Sequence, residues 1–536
     1  MSRTTSTPGA TTPSSGRGPA KTAPLPAGKA AAPAAQGVPH RGLITVSIML
    51  ATIMQVLDTT IANVALPSMQ GSLGAAQDSI TWVLTSYIVA AAIATPVTGW
   101  VSDQIGIKRL FLISIVGFTI ASMLCGLSTS LFQMVGFRIL QGIFGAALVP
   151  LSQSVLLSIN PKERHGQAMA MWGAGIMVGP IIGPTLGGWL TDSFDWRWVF
   201  FINLPVGILA FSGIFIFMRE GALRRRAFDF FGFAFLSLGI GALQMMLDRG
   251  EQLDWFSSQE ILIEASLSLI GFWVFVVHMA TGKNTFIDPH IFRDRNFVTG
   301  LVFIFIIGII LLATMALLPP MLQNLYGYPV ITTGVILAPR GVGTMIAMML
   351  VGRLVARLDP RILILFGLSL TSWSLYEMTT WSPQMDSVPF IITGITQGFG
   401  LGFVFVPLST LAFATLPPHW RTDAASLFSL VRNLGSSIGV SIVSTLLAQN
   451  TQIVHQALAG HVTLTNPAIP MDIATGDLSA IAQLNAMITR EAAFVAYIDN
   501  FKFMMYVTLI TIPLTLLLRR RKPQPGSGDG AHVALD

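Results

Sequence analysis

Two charged residues stand where charge is expensive: Asp58, inside "VLDTTIANVALP" (56–67), and Arg138, inside "FRILQGIFGAALVP" (137–150). In hydrocarbon a charged side chain costs about 2.5–3.5 kcal/mol by the lowest estimates, so each needs a partner, a wet cavity or a task. On a helical wheel Gln55, Asp58, Thr59, Ala62 and Asn63 share one arc. Met54, Leu57, Ile61 and Val64 cover the other side, so Asp58 belongs to a polar stripe facing protein or water. Arg138 lines up with Gln141, Gly142 and Gly145 on one face of its own span. At about 1.5 Å per residue, Asp58 lies about 22 Å from the inner end of its span and Arg138 about 12 Å from the outer end of its own. Both therefore fall in the outer half of a core about 30 Å thick. A carboxylate whose proton affinity depends on a nearby arginine can load and release a proton. The plainer alternative is a static polar contact that holds two helices together.

The chain that must position these residues has 536 residues, 52% hydrophobic and 10% charged, with a mean hydropathy of +0.68. A soluble protein is nearer 25% charged. Apolar runs long enough to cross a bilayer recur along nearly the whole length, without the period-two alternation of a barrel. The fold class is therefore an all-α membrane protein with about fourteen spans. Spans 13 and 14 are expected near 422–448 and 500–518, joined by an outer loop over 449–499 with a surface helix around Leu478–Tyr497. Residues 1–40, rich in Ala, Pro, Gly, Ser and Thr, read as a disordered tail rather than a signal peptide.

The net charge of +6 does not indicate nucleic acid, because the basic residues are scattered between spans. They fall after alternate spans: Lys108 and Arg109, Lys162 and Arg164, Arg219 and Arg224–Arg226, Lys283, Arg357 and Arg361, Arg421, and Arg519–Lys522. The opposite loops are neutral or acidic, as at Asp248, Glu251 and Glu260. The positive-inside rule then puts both termini in the cytoplasm. "GWVSDQIGIKR" (99–109) and "GRLVARLDPR" (352–361) occupy similar places in two halves. Setting two central spans aside gives six, two, six: a bundle over 41–218, extra spans and linker over 219–296, a second bundle over 297–520 and a tail over 521–536.

These motifs together resemble the fourteen-span drug:proton antiporters of the major facilitator superfamily, the EmrB/QacA type, over about residues 43–520. "LDTTIANVALP" is similar to the family's span 1 motif and "RILQGIFGAA" (138–147) to its span 4 motif, whose arginine is implicated in proton transfer. "GIMVGPIIGPTLGG" (175–188) resembles the span 5 antiporter motif, "WRWVFFINLPVG" (196–207) the span 6 motif, and "AYIDNF" (496–501) the start of span 14. The resemblance implies two six-helix bundles plus two central helices, alternating access, and proton coupling through Asp58 and Arg138. It implies a latch at Gly99, Asp103, Gly106, Lys108 and Arg109, weakened by Ile107 where the family often has arginine. It also implies a pliable seam between halves at Gly175, Gly179, Pro180, Gly183 and Pro184. Asp103 is expected to meet Lys108, Arg109 or a helix N-terminus of the other half.

The remaining polar residues are less specific. Trp196 and Trp198 fit an interfacial aromatic belt, Asn203 and Pro205 lie deeper, and Asp229 fits a cap for span 7. Gln55, Thr59, Asn63 and Gln141 are candidate cavity residues. Arg340 and Arg432 fall near mid-membrane without an acidic partner in their half, and could bind backbone carbonyls, close the cavity or meet an anionic substrate. No Walker loop, nucleophile motif or metal-type cluster suggests an enzyme, and no cofactor or metal is expected. The expected function is proton-coupled export of lipophilic, often cationic compounds across a bacterial inner membrane. Export of one dedicated metabolite or siderophore is the alternative. Candidate partners are the drug-like substrate, protons and the lipid bilayer, with a periplasmic adaptor and outer-membrane channel added by the resemblance.

Overall fold

The computed structural model describes residues 39–220, 223, 227–282, 285, 287–355, 357–462 and 478–518. Most of the two expected tails, Arg224–Arg226, Lys283 and Arg519–Lys522 lie outside the described residues. Among the described residues there is no strand. The long helices are, in chain order, α1 Arg41–Leu73, α2 Trp82–Ile105, α3 Ile107–Leu127, α4 Leu131–Ile159, α5 His165–Ser193, α6 Trp198–Phe217 and α7 Phe230–Arg249. They continue as α8 Gln259–Thr281, α9 Arg295–Leu325, α10 Val330–Leu354, α11 Pro360–Met378, α12 Val388–Ala414, α13 Arg421–Ala459 and α14 Leu478–Thr511.

Thirteen of these helical segments are long and apolar enough to cross a membrane. The exception is α11, whose Ser369, Thr371, Ser372 and Ser374 dilute its apolarity. Its 19 residues still span about 28 Å at 1.5 Å per residue. The outer surface is apolar to a degree water does not tolerate: Phe132 is 90% exposed, and Leu269 and Ile510 are each 72% exposed. This is a multi-pass membrane protein. Buried hydroxyls return to their own helices, as Thr45 does to the Arg41 carbonyl at 2.9 Å and Thr52 to that of Ile48 at 2.9 Å. That satisfies them where lipid offers no partner.

Prolines set the irregularities. Pro150 cannot donate to the Ala146 carbonyl, and α4 is interrupted at Ala146–Ala147. Pro180 cannot donate to Ile176, and α5 is interrupted at Met177.

Helix α1 packs against α4, α5 and α6, while α2 and α3 pack on α4. Farther along, α9 packs on α12 and α13, α12 lies against α10 and α11, and α14 lies against α11 and α13. Two seams join these sets: α5 against α10, and α13 against α2 and α4. Helix α7 touches both α2 and α13, and α8 packs on α7 and the turn before it, where Trp255 Nε1 donates to Thr445 Oγ1 of α13 at 3.0 Å.

Three expectations are corrected here. First, the glycine repeat of α5 does not form the seam between halves. The spaces left at Gly175, Gly179, Gly183 and Gly187 are filled by Met49, Val56, Thr60 and Ile61 of α1. The seam uses the neighbouring face, where Gly352 meets Ala170, Gly173 meets Met348, and Gly341 meets Ile181. Second, Trp196 is not in an interfacial belt. It is 3% exposed and packs with Leu57, Ile61, Met134 and Leu190, while Trp198 is exposed. Third, the expected surface helix is the first part of α14, and residues 449–459 extend α13. No Gly or Pro interrupts 478–511, and a nucleated helix propagates through such a run. The two extensions meet where His455 Nε2 and Asn485 Oδ1 lie 3.0 Å apart.

Close helix approach makes a testable contrast. A Cβ on Gly439 of α13 would lie 2.6 Å from the Ile309 Cα of α9, whereas one on Gly136 meets nothing within 4 Å. Gly439→Ala should destabilise the detergent-purified protein by about 1–3 kcal/mol, and Gly136→Ala should leave its thermal midpoint unchanged or higher. Equal midpoints would contradict the packing described.

Candidate functional site

Asp58 and Arg138 meet inside the first six helices. Asp58 is 1% exposed and Arg138 is fully buried. Arg138 Nη1 donates to Asp58 Oδ2 at 2.7 Å and to Gln141 Oε1 at 2.8 Å, and its Nε donates to the Val83 carbonyl at 2.9 Å. Gln141 Nε2 and Asn203 Nδ2 each donate to Asp58 Oδ1 at 2.8 Å. Asn203 Nδ2 also donates to Ser122 Oγ at 2.9 Å, and Ser122 donates to the Phe200 carbonyl at 2.9 Å. The guanidinium lies 4.6 Å from the Tyr87 ring centre and 5.6 Å from that of Phe200, a cation–π arrangement in a dry site. Helices α1, α2, α3, α4 and α6 all contribute.

Local sequence explains this convergence. Arg138 and Gln141 are three apart on α4 and so share a face. Gly142 continues that face without a side chain: a Cβ there would lie 2.5 Å from the Tyr87 carbonyl. Its absence lets α2 approach closely enough for Val83 to accept from Arg138. On α1 the polar stripe divides. Asp58 points into the network, whereas Gln55 and Thr59 are half-buried and Asn63 is exposed. Thr59 Oγ1 donates to the Val56 carbonyl of its own helix at 2.8 Å.

The pair is nearly closed as a chemical unit. Among the described residues, Arg138 Nη2 is a buried donor without a partner and Asn203 Oδ1 a buried acceptor without one. A proton on Asp58 would remove the counter-charge of a fully buried guanidinium, and an uncompensated buried charge costs about 3–5 kcal/mol. Sequence reasoning left Asn203 without a role and did not single out Ser122 or Tyr87. An asparagine deep in an apolar span is a usable signal; a serine is not, because serines in spans routinely bond their own helix.

A second cluster shuts the face that carries the basic loops. Space at Gly99 is taken by Asp423 of α13, Ser154 and Thr422 hydroxyls lie 2.8 Å apart, and Arg421 Nη1 donates to the Leu157 carbonyl at 2.9 Å. Val355, which caps the end of α10, fills the space at Gly166. Gly106, at φ 93°, turns the loop, and Glu220 occupies the space a side chain would need there. Lys108 Nζ donates to the Phe215 carbonyl at 2.8 Å, and Arg109 lies 3.6 Å from Glu220. These two cations thus hold the end of α6. Asp103 is half-buried.

Other expected residues stand apart. Asp229 does cap α7, accepting from the Gly232 amide at 2.8 Å, and meets His278 Nε2 at 2.9 Å. Arg340 of α10 is 5% exposed and donates from Nη2 to the Leu311 carbonyl of α9 at 3.4 Å. Arg432 of α13 is half-buried. Neither forms an ion pair among the described residues, and neither joins the Asp58 network. No group of three or more metal-type ligands occurs among the described residues.

With this geometry in hand, comparison with known proteins is informative. Residues 48–440 match the family model described as Major Facilitator Superfamily. The chain is 36% identical to the multidrug export protein EmrB of Escherichia coli (strain K12), over 91% of this chain and 98% of the relative. It is also 36% identical to the fatty acid resistance protein FarB of Neisseria gonorrhoeae, over 91% and 97% respectively. Among solved structures, the human organic anion transporter MFSD10 (TETRAN) aligns with a TM-score of 0.57 at 14% identity, over 88% of this chain and 100% of that one, which shows a shared fold.

The closed pair predicts strong non-additivity. Arg138→Gln alone strands Asp58 and should destabilise the purified protein by about 3–5 kcal/mol. The double replacement Asp58→Asn with Arg138→Gln should cost less than that single change. Thermal unfolding of the four variants of the cycle measures it, and simple additivity would show that the two side chains do not depend on each other.

Proposed function

Since this chain belongs to the major facilitator superfamily, we propose that it exports lipophilic, drug-like compounds in exchange for protons and that Asp58 carries the proton. The observation that supports the proton reading is the buried contact of Asp58 with Arg138 at 2.7 Å, enclosed by donors from one half only. A carboxylate sealed among five helices gains or loses a proton only when those helices move, and a helix movement is what alternating access requires. The names of the relatives support the export reading, one being a multidrug exporter and another a fatty acid resistance protein.

In this reading 41–218 and 297–520 are the two moving bundles, with 219–296 set beside the seam of α2 and α13. Both termini face the cytoplasm of a bacterial inner membrane, so the shut face at Gly99, Asp423 and Arg421 is the cytoplasmic gate. The projecting ends of α13 and α14 then reach the other side, where a periplasmic adaptor leading to an outer-membrane channel would meet them. The half-exposed Gln55 and Thr59 border the substrate path. Asp58 itself acts from inside the first bundle.

Two experiments address this reading. Asp58→Asn keeps the shape and removes the charge. In proteoliposomes with an imposed pH gradient, the variant should insert normally and lose proton-driven efflux of a fluorescent drug. Normal pumping by Asp58→Asn would end the proposal. Gly99→Val, which displaces Asp423 from the shut face, should slow transport while leaving equilibrium drug binding near wild type, because a gate shifts populations rather than the site. Parallel loss of binding and transport would argue against a gate.

A further inference from the structure

The sequence of α4 recurs in α12. "ILQGIFGAALVPLS" (139–152) and "ITQGFGLGFVFVPLS" (395–409) share Gln-Gly near the start and Pro-Leu-Ser at the end, the second being one residue longer. The contacts recur with the sequence. A Cβ on Gly142 would strike the Tyr87 carbonyl of α2, and a Cβ on Gly398 would strike the Arg340 carbonyl of α10. Gln141 Nε2 donates to Asp58 of α1, and Gln397 Nε2 donates to Thr314 Oγ1 of α9 at 3.3 Å. Helix α6 brings Asn203 to the first cluster. Helix α14 brings Met504 to the second, its sulfur 3.7 Å from Thr314 Oγ1, with the fully buried Asn500 one turn away.

Two differences set the second cluster apart. Three residues before the glutamine, α4 has Arg138 and α12 has Gly394. Arg340 comes to that place from α10: its Cβ lies 3.5 Å from where a Cβ of Gly394 would stand, and its Nη2 donates to the Leu311 carbonyl at 3.4 Å. The arginine thus stands on the helix that carries Tyr87 in the first half. The second difference is at the acceptor of the glutamine. Thr314 is fully buried, and its hydroxyl donates to the Ile310 carbonyl of its own helix at 2.8 Å. A threonine in this place carries no charge and does not titrate.

No other acid of the second half replaces it. Helices α9, α10 and α12 contain no acidic residue. On the helices packed against them, Asp192 and Glu491 are exposed, and Glu377 accepts from Trp373 Nε1 at 2.9 Å. Asp499 meets Lys502 at 3.2 Å, and Asp423 stands at the shut face. Arg432 of α13 is the further cation there, and its carbonyl fills the space at Gly308 of α9.

We infer that Thr314, Gln397 and Arg340 are the second half's counterpart of the Asp58 network, with its carboxylate replaced, so that one proton site serves the whole chain. The first bundle then responds to protonation, and the second keeps one charge state throughout the cycle. Exchange of one proton for a monovalent cation moves no net charge. This inference rests on the proton reading of Asp58 and adds a stoichiometry to it.

The test counts protons. Tetraphenylphosphonium is added to the full chain in weakly buffered detergent along a pH series, and proton release is compared with the amount bound in equilibrium dialysis. Wild type should release at most about one proton per bound cation. Asp58→Asn should release none, and Thr314→Val should release as much as wild type. Thr314→Asp places a carboxylate one turn from the Leu311 carbonyl that Arg340 holds, and should raise the limit to about two. Wild-type release near two would overturn the inference. So would release that survives Asp58→Asn, which would place a proton on another intramembrane acid such as Asp248 of α7 or Glu264 of α8. A folded Thr314→Asp that still releases about one would show that the second cluster is no counterpart of the first. A wild-type protein that binds the cation and releases no proton defeats the Asp58 reading beneath this inference, and one that binds none defeats the export reading.

Discussion

A bilayer supplies neither hydrogen bonds nor counter-charge, and the burial of Asp58 against Arg138 is the interaction through which that constraint organises the first half of this protein. Each group alone would be costly in hydrocarbon. Together, with Gln141, Asn203, Ser122 and the Val83 carbonyl, they form a network in which almost every donor and acceptor is used. Satisfying it requires five helices to hold one arrangement. The network fastens α1 to α2, α3, α4 and α6, and its ionisation state bears on all of them at once.

Close packing makes such a network possible. In lipid, helices gain little from hiding apolar surface, so association relies on close van der Waals contact and polar links. Gly142 lets α2 reach Arg138, the α5 glycines admit α1, and Gly308, Gly435 and Gly439 bring α9 and α13 together. Prolines do the opposite locally. By removing backbone donors at Pro150 and Pro180 they interrupt α4 and α5, two helices that also contribute to contacts between the halves.

The two halves differ electrostatically. In the first, a fixed carboxylate neutralises the buried arginine, and the pair is sealed. In the second, Arg340 donates to the Leu311 carbonyl of α9, and neither it nor Arg432 forms an ion pair among the described residues.

By itself the sequence determined the membrane class, the helices, and the positions of the ionisable residues along them. Apolar run length and loop composition suffice for that, because the bilayer imposes one length and one polarity on every span. It also made Asp58, Arg138 and Gln141 legible as a set, through their oddity and their matching depth. The tertiary structure alone decided that Asn203 and Ser122 complete the network, that the α5 glycines face α1 and not the seam, and that Trp196 is core. It also decided that Arg340 reaches the Leu311 carbonyl of α9. Helical periodicity says which residues lie on a common face. It cannot say which helix comes to meet that face, because in lipid every span offers an apolar surface to every other, and the choice is made by shape and by the few polar groups that must find one another.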